Sequence, residues 1–278
     1  MIKYRLLRER IAAAFPDLRL EEPAPASDAE LLLAHDPDYV DRLVRGDLSR
    51  DEIRQIGFPW TPEMVERSRR STGATIAASR AALTDGFGVN LAGGTHHAHA
   101  DHGEGFCCFN DAVVACRVLQ HEGLVDRVLV IDLDVHQGNG TAEMTQGDAR
   151  IFTFSMHGAT NFPFQKAQSD LDIELPDRST DQDYLAALDQ GLEVCARAIV
   201  PDLIIYLAGA DPFEDDRLGR LSLTKAGLAQ RDERVFAFAK HRGIPVSVAM
   251  AGGYARVIED TVDIHFQTVA RGLGIFVK

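Results

Sequence analysis

No apolar run in this 278-residue chain is long enough to cross a bilayer, which argues against a helical membrane span. The opening Met1-Ile2-Lys3-Tyr4-Arg5-Leu6-Leu7-Arg8 is too charged for a secretory signal. Cysteine is scarce. Cys107, Cys108, Cys116 and Cys195 have the spacing of neither a zinc finger nor a disulfide framework. Reduced thiols in a cytoplasmic protein are the expectation. Basic excess is also missing: 29 Lys and Arg stand against 42 Asp and Glu, a formal charge of −13. Such a chain is a poor partner for phosphate backbones, so no direct nucleic-acid binding is expected. A cationic peptide or amine is not excluded. There is no Gly- or Ser-rich linker and no internal repeat, so one domain over 1–278 is expected. With 45% hydrophobic and 26% charged residues, the composition is that of an ordinary globular domain.

What is present alternates. Lys3–Ala14 has helical periodicity, with Leu6, Leu7 and Ile11 on one face. A Pro-rich turn over Glu21–Ser27 precedes an apolar patch at Leu31–Leu33, and His35–Val44 reads as a turn entering a short helix. Gly57-Phe58-Pro59-Trp60 reads as a loop with two exposed aromatics. Thr61 and Pro62 then open a long helix to about Leu83. Strands are expected at Val89–Ala92, Val128–Leu133, Ile151–Ser155, Leu203–Ala208 and Pro245–Ala249. Helices are expected at Asp111–His121, Asp181–Val200, Thr224–His241 and Val257–Ala270, and His157–Pro176 is expected to be irregular. Apolar strands alternating with helices predict a single three-layer α/β/α domain around a mainly parallel sheet.

The chain is organised around Val128–Thr141. An apolar, β-branched run over Val128–Ile131 leads into Asp132, Asp134 and His136, then Gly138 and Gly140. Alternate residues of an extended chain share a side, so these three polar groups converge as the strand leaves the sheet. Carboxylates at the mouth of a buried strand are costly without a cation. Other strand ends are equally unusual: Gly93-Gly94-Thr95-His96-His97-Ala98-His99, Gly209-Ala210-Asp211-Pro212 and Met250-Ala251-Gly252-Gly253-Tyr254. Singly, adjacent histidines on a loop are ordinary. Asp211 before a proline reads as a turn former as readily as a ligand, and Tyr254 after two glycines reads as packing. Ligands of parallel sheets bind beyond the carboxyl ends of strands, and this common location favours a site.

The inventory suits metal-assisted hydrolysis of an amide or ester. Asp134, His136 and Asp211 supply three ligands and leave a position for water, as in catalytic zinc sites. A nearby histidine can take the proton from that water, and a tyrosine hydroxyl can donate to a developing oxyanion.

These motifs resemble those of the histone deacetylase family of the arginase/deacetylase fold, closest to its class IV and bacterial members. The resemblance spans nearly the whole chain. It is carried, in order, by Gly94-Thr95-His96-His97-Ala98, Gly105-Phe106-Cys107-Cys108-Phe109-Asn110-Asp111, Asp132-Leu133-Asp134-Val135-His136-Gln137-Gly138-Asn139-Gly140, Gly209-Ala210-Asp211 and Gly252-Gly253-Tyr254. It implies Zn2+, with Fe2+ as the alternative, on Asp134, His136 and Asp211. His97 would be the general base, His96 an electrostatic assistant oriented by Asp132, and Tyr254 the group that polarises the carbonyl. Gly105, Phe106 and Phe162 would wall a tunnel for the apolar stem of an acyl-lysine. A structural K+ or Na+ would sit among Asp132, Asp134, His136, Ser155 and Met156.

The implied substrate is an acyl-lysine protein or peptide, or an acylated small amine such as an acetylated polyamine. A non-catalytic acyl-lysine-binding module is the non-enzyme alternative. An arginase-like dimanganese enzyme would need further carboxylates at the strand ends. Three departures stand out. Asn139 takes the place of the Asp that backs the base in many members, so His97 is expected to have a lower pKa than in those members. The Gly57–Trp60 loop lacks the acidic residue by which several members grip the substrate backbone. Members also usually begin with a strand before the first helix, and its apparent lack here would expose a sheet edge, alter the tunnel rim or favour a homo-oligomer.

Overall fold

The computed structural model describes residues 2–277. Among them, six strands form one parallel sheet: β1 (Phe87–Asn90), β2 (Val128–Asp132), β3 (Ile151–Gly158), β4 (Leu171–Leu175), β5 (Leu203–Leu207) and β6 (Val246–Ala249), in the order β1-β6-β5-β2-β3-β4. The helices are α1 (Ile2–Ala14), α2 (Asp28–Leu31), α3 (Pro37–Arg45), α4 (Arg50–Ile56), α5 (Pro62–Asp85), α6 (Asp111–His121), α7 (Asn139–Thr145), α8 (Asp181–Ala198), α9 (Lys225–Arg242) and α10 (Ile258–Phe276).

The central strands are covered on both faces, which is why they read as continuous apolar runs. Leu129 and Ile131 of β2, Ile204 and Tyr206 of β5, and Val246 and Val248 of β6 pack into one core with α1, α8, α9 and α10. Their neighbours Val128, Val130, Leu203, Ile205 and Leu207 pack into a second core with α3, α5 and α6. The three-layer α/β/α arrangement follows from this period-two division.

The connectivity positions the site. After β2 the chain adds β3 and β4 on one side, then returns to lay β5 on the other side of β2 and adds β6 beyond it. The β2–β5 ladder ends at Asp132 opposite Leu207. From there β2 leads to β3 on one side and β5 to β6 on the other, the kind of switch point at which parallel sheets bind ligands.

Several expectations are corrected. The first strand lies at Phe87–Asn90, not Val89–Ala92. Gly88 lets the backbone press against α5, where a Cβ would come within 2.0 Å of the Ala78 carbonyl oxygen. The Asn90 side chain ends the strand by accepting a hydrogen bond from the Ala92 amide. The segment His157–Pro176 is not wholly irregular: β3 runs on to Gly158 and pairs with β4 inside it. The short helices α2 and α4 start at Ser27 and Ser49, each in a Ser-x-x-Glu capping box. The aromatics of the Gly57–Trp60 loop are half-buried, not exposed. Trp60 Nε1 donates to the Leu43 carbonyl at 2.7 Å, and Phe58 stacks on Phe106. α10 continues past Ala270 so that Phe276 can stack on Phe87. No described helix is long and apolar enough to cross a membrane, and all four cysteines are free thiols.

Ile205 is fully buried at the centre of β5. Ile205→Ala is expected to cost about 2–5 kcal/mol of unfolding free energy, the range for truncation of a packed core side chain. Urea titration checks this, and a loss well under 1 kcal/mol would contradict the two-sided burial of β5.

Candidate active site

The chain leaving β2 is held by its own carboxylates. The Asp134 amide donates to Asp132 Oδ1 at 3.1 Å, and the His136 amide donates to Asp134 Oδ1 at 2.9 Å. Two bonds tie this loop to others: Val135 N to Asp211 Oδ1 at 2.9 Å, and Gly252 N to Asp134 Oδ2 at 2.7 Å. The structure thereby gathers Asp134, His136 and Asp211, with one donor atom of each lying within 4.8 Å of the others. His136 Nδ1 is 2.9 Å from Asp134 Oδ1 and 3.4 Å from Asp211 Oδ2.

This cluster fits a divalent cation. Asp211 Oδ2 is buried without a hydrogen-bond partner. Gly252 passes so close that a Cβ would come within 1.9 Å of that oxygen and 2.6 Å of Asp134 Oδ2. Any side chain at Gly252 would therefore intrude between the two carboxylates. The donor set of two carboxylates and one imidazole suits zinc or ferrous iron. Burial pushes Asp211 upward, reinforced by the charge of Asp134 beside it. Burial opposes the charge on His136 as well, but Asp134 and Asp211 carry it up to about 10. The protein alone thus holds protons here that a dication would displace.

His96 and His97 lie on the same side, their rings 4.2 Å apart, yet their surroundings favour the cation at one and the neutral ring at the other. His96 Nδ1 meets Asp132 Oδ2 at 2.6 Å. Burial disfavours the cation, but the carboxylates of Asp132 and Asp134 outweigh it and raise His96 to about 9. His97 Nδ1 meets the neutral Asn139 Oδ1 at 2.7 Å. Burial and the neighbouring His96 and His136 depress it well below 6.5. The Asn139 amide is oriented from behind, because its Nδ2 donates to Glu104 Oε2 at 2.7 Å. Its oxygen therefore faces His97, which leaves Nε2 of a neutral His97 as the free basic nitrogen.

The loop carrying these histidines is braced by the Asn110-Asp111 pair. Asp111 accepts from Gly94 N, Thr95 N and Thr75 Oγ1, and Asn110 Nδ2 donates to the Ala98 carbonyl. Gly105 abuts His97: a Cβ would lie 2.6 Å from its ring. Phe162 stands edge-on to His97, with ring centroids 4.9 Å apart, and Phe106 is 45% exposed at the rim.

Tyr254 lines the same cavity as these residues. Its amide donates to Asp216 Oδ2 at 2.6 Å. Lys3 Nζ donates to the preceding Gly253 carbonyl at 3.0 Å and lies 4.8 Å from the Tyr254 ring centre. Burial pushes the Tyr254 phenol upward, so it is a protonated donor at neutral pH. The cavity is about 2070 Å³ and continues from the site along β1, past Ala78, Val89 and Leu273.

The residues implied for a monovalent ion are also neighbours. Ser155 pairs with Asp132 across β2 and β3, and Met156 follows it in β3. Ser155 Oγ lies 2.9 Å from Nδ1 of the buried His157. Glu104, Asp216, Lys3 and His157 were not singled out from the sequence. Each acts through a neighbour distant in sequence or through a β3 extension hidden by the β4 pairing, and none carries a local motif.

Over residues 2–269 the chain matches the family described as Histone deacetylase domain. An uncharacterised protein of Picosynechococcus sp. is 42% identical over 267 residues, which is 95% of this chain and 89% of that protein. Histone deacetylase 2 of Arabidopsis thaliana is 34% identical over 256 residues, covering 87% of this chain and 66% of that protein. A solved HDAC homolog complexed with SAHA has a TM-score of 0.83 and 27% identity, covering 96% of this chain and 77% of that one. A match of this extent, on a chain with this sheet and these strand-end residues, means that the protein belongs to the histone deacetylase family.

Proposed function

We propose that the protein is a metal-dependent hydrolase that removes an acyl group from an amine, foremost a lysine side chain. The observation that carries this is the meeting, in one cavity, of the Asp134–His136–Asp211 donor set, a neutral buried His97 and a protonated Tyr254. Asp134, His136 and Asp211 would hold Zn2+, or Fe2+ as the alternative. When bound, such an ion polarises a carbonyl and lowers the pKa of a coordinated water from about 15.7 to about 7.

The chain's own groups then have distinct parts. His97 Nε2 accepts the proton of the attacking water, its ring turned by Asn139. His96, charged through Asp132, offsets negative charge that develops nearby. The Tyr254 hydroxyl donates to the carbonyl oxygen as it becomes an oxyanion. Phe106 and Phe162, with Gly105, flank an apolar amine stem and exclude water from it. A monovalent K+ or Na+ among Asp132, Asp134, His136, Ser155 and Met156 would steady the loop from beneath. The cavity is larger than an acetyl group fills, and acyl groups longer than acetyl are included in this reading.

The metal-free protein is expected to bind one equivalent of zinc with release of protons. Asp211→Asn should weaken binding by at least about tenfold, since it removes one of three ligands. Calorimetry in two buffers of different ionisation heat measures both. Stoichiometric zinc on Asp211→Asn at parental affinity would place the ion elsewhere.

On acetyl-lysine, myristoyl-lysine and acetylpolyamine substrates, His97→Ala and Tyr254→Phe are each expected to lose about 10²–10⁴-fold in kcat. Equal and negligible turnover by parent and variants would instead favour a binding module.

The depressed pKa of His97 keeps it in the base form to acidic pH, so the acidic limb of kcat/KM is expected below pH 6.5. Placing a carboxylate at Asn139 stabilises imidazolium and should move that limb to higher pH by about 1–3 units. The variant is Asn139→Asp in a Glu104→Gln background, so that the new carboxylate does not face Glu104. An unmoved limb would remove His97 from the proton transfer.

A further inference from the structure

Arg231 of α9 is a fully buried guanidinium with no place in the chemistry above. Its Nη1 donates to the Gly209 carbonyl at 2.5 Å and reaches the Leu133 carbonyl at 3.4 Å. These two oxygens lie in the loops leaving β5 and β2. Leu133 immediately precedes Asp134, and Gly209 stands two residues before Asp211. The Arg231 fork is itself oriented. Its Nε donates to Asp232 Oδ1 at 2.9 Å. Asp232 also accepts from Tyr206 Oη of β5 and Thr268 Oγ1 of α10, both at 2.6 Å.

From this geometry we infer that Arg231 is a positioning residue that sets the separation of Asp134 and Asp211 from the side opposite the cavity. The inference rests on reading those two aspartates as metal ligands. The β2–β5 ladder ends at Asp132 and Leu207, and a carbonyl buried beyond it needs a donor from elsewhere. A single nitrogen of the guanidinium, Nη1, reaches both carbonyls and ties the loops to each other. A lysine ammonium has three donors but no planar group that Asp232 can hold through a second nitrogen. Burying a cation is a costly way merely to fill a core, where an apolar side chain would stabilise as much or more. On the cavity side Val135 N to Asp211 joins the same two loops, and Gly252 N to Asp134 ties in the loop after β6. Those two amides therefore report whether the ligand pair is held.

The test compares Arg231→Lys and Thr268→Val with the parent. Amide hydrogen exchange is read on the metal-free protein, zinc affinity by competition with a chromophoric chelator, and kcat and KM on the loaded enzyme. In Arg231→Lys, exchange at Val135 and Gly252 is expected to rise about tenfold or more, with β3 amides unchanged. Zinc affinity should fall about 10–100-fold, the range for residues that orient ligands. kcat should fall while KM stays within about twofold, because Arg231 does not line the cavity. Thr268→Val, which removes one hydroxyl from Asp232, should shift the same amides in the same direction by less. Parental exchange and zinc affinity in a folded Arg231→Lys would overturn the proposal, and so would exchange that rises evenly across the sheet. If Arg231→Lys does not fold, Thr268→Val decides by the same readouts. A parent that binds no zinc would refute the metal reading, while exchange in the metal-free protein would still judge Arg231.

Discussion

Two carboxylates buried side by side, Asp134 and Asp211, set the terms for everything around them. Neither is more than 2% exposed, and each raises the cost of ionising the other. A fold keeps such a pair only where cations and donors surround it. Here the donors are three backbone amides from two strand-end loops, Val135 and His136 after β2 and Gly252 after β6. The cationic partners within the protein are His96 and His136. The position of the pair follows from topology, since β2 and β5 are the neighbours between which the direction of strand addition reverses.

From that pair the site is built outward by differences in what stands behind each side chain. His96 and His97 are adjacent in sequence and nearly in ring contact, yet one is backed by the carboxylate of Asp132 and the other by the amide of Asn139. The charged partner favours the cationic form of His96, while burial and the neutral partner leave His97 uncharged. Glu104 completes the arrangement by fixing which end of the Asn139 amide faces the imidazole. Asp216 and Lys3 do comparable work on the backbone around Tyr254, one at its amide and one at the carbonyl before it. The core face adds the Arg231–Asp232 pair, so the loops after β2 and β5 are joined on both sides of the sheet's end.

The corrections to the sequence-based expectations share one physical cause. Val89–Ala92 is shifted to Phe87–Asn90 because Gly88, a poor strand residue alone, is where α5 presses on the sheet. β4 escapes notice because its five residues are only partly buried at the sheet edge, where pairing with β3 outweighs weak apolar periodicity. Phe58 and Trp60 look exposed from a Gly- and Pro-punctuated loop, yet Phe106 and the Leu43 carbonyl cover them. In each case the deciding contact comes from a segment far along the chain.

Sequence by itself determined the alternation of strand and helix, the two-sided burial of β2 and β5, and the presence of His, Asp and Tyr at successive strand ends. These are local properties, set by apolar periodicity and by glycines that punctuate the loops. It also determined that Asn139, not a carboxylate, backs His97 once the order of motifs is aligned with the family. Tertiary structure alone decided that Asp134, His136 and Asp211 share one centre, that Glu104 turns Asn139, and that Arg231 spans two carbonyls. Hydrogen bonds between residues 22 to 118 positions apart depend on how strands are ordered, and strand order is a property of the packed sheet rather than of any segment.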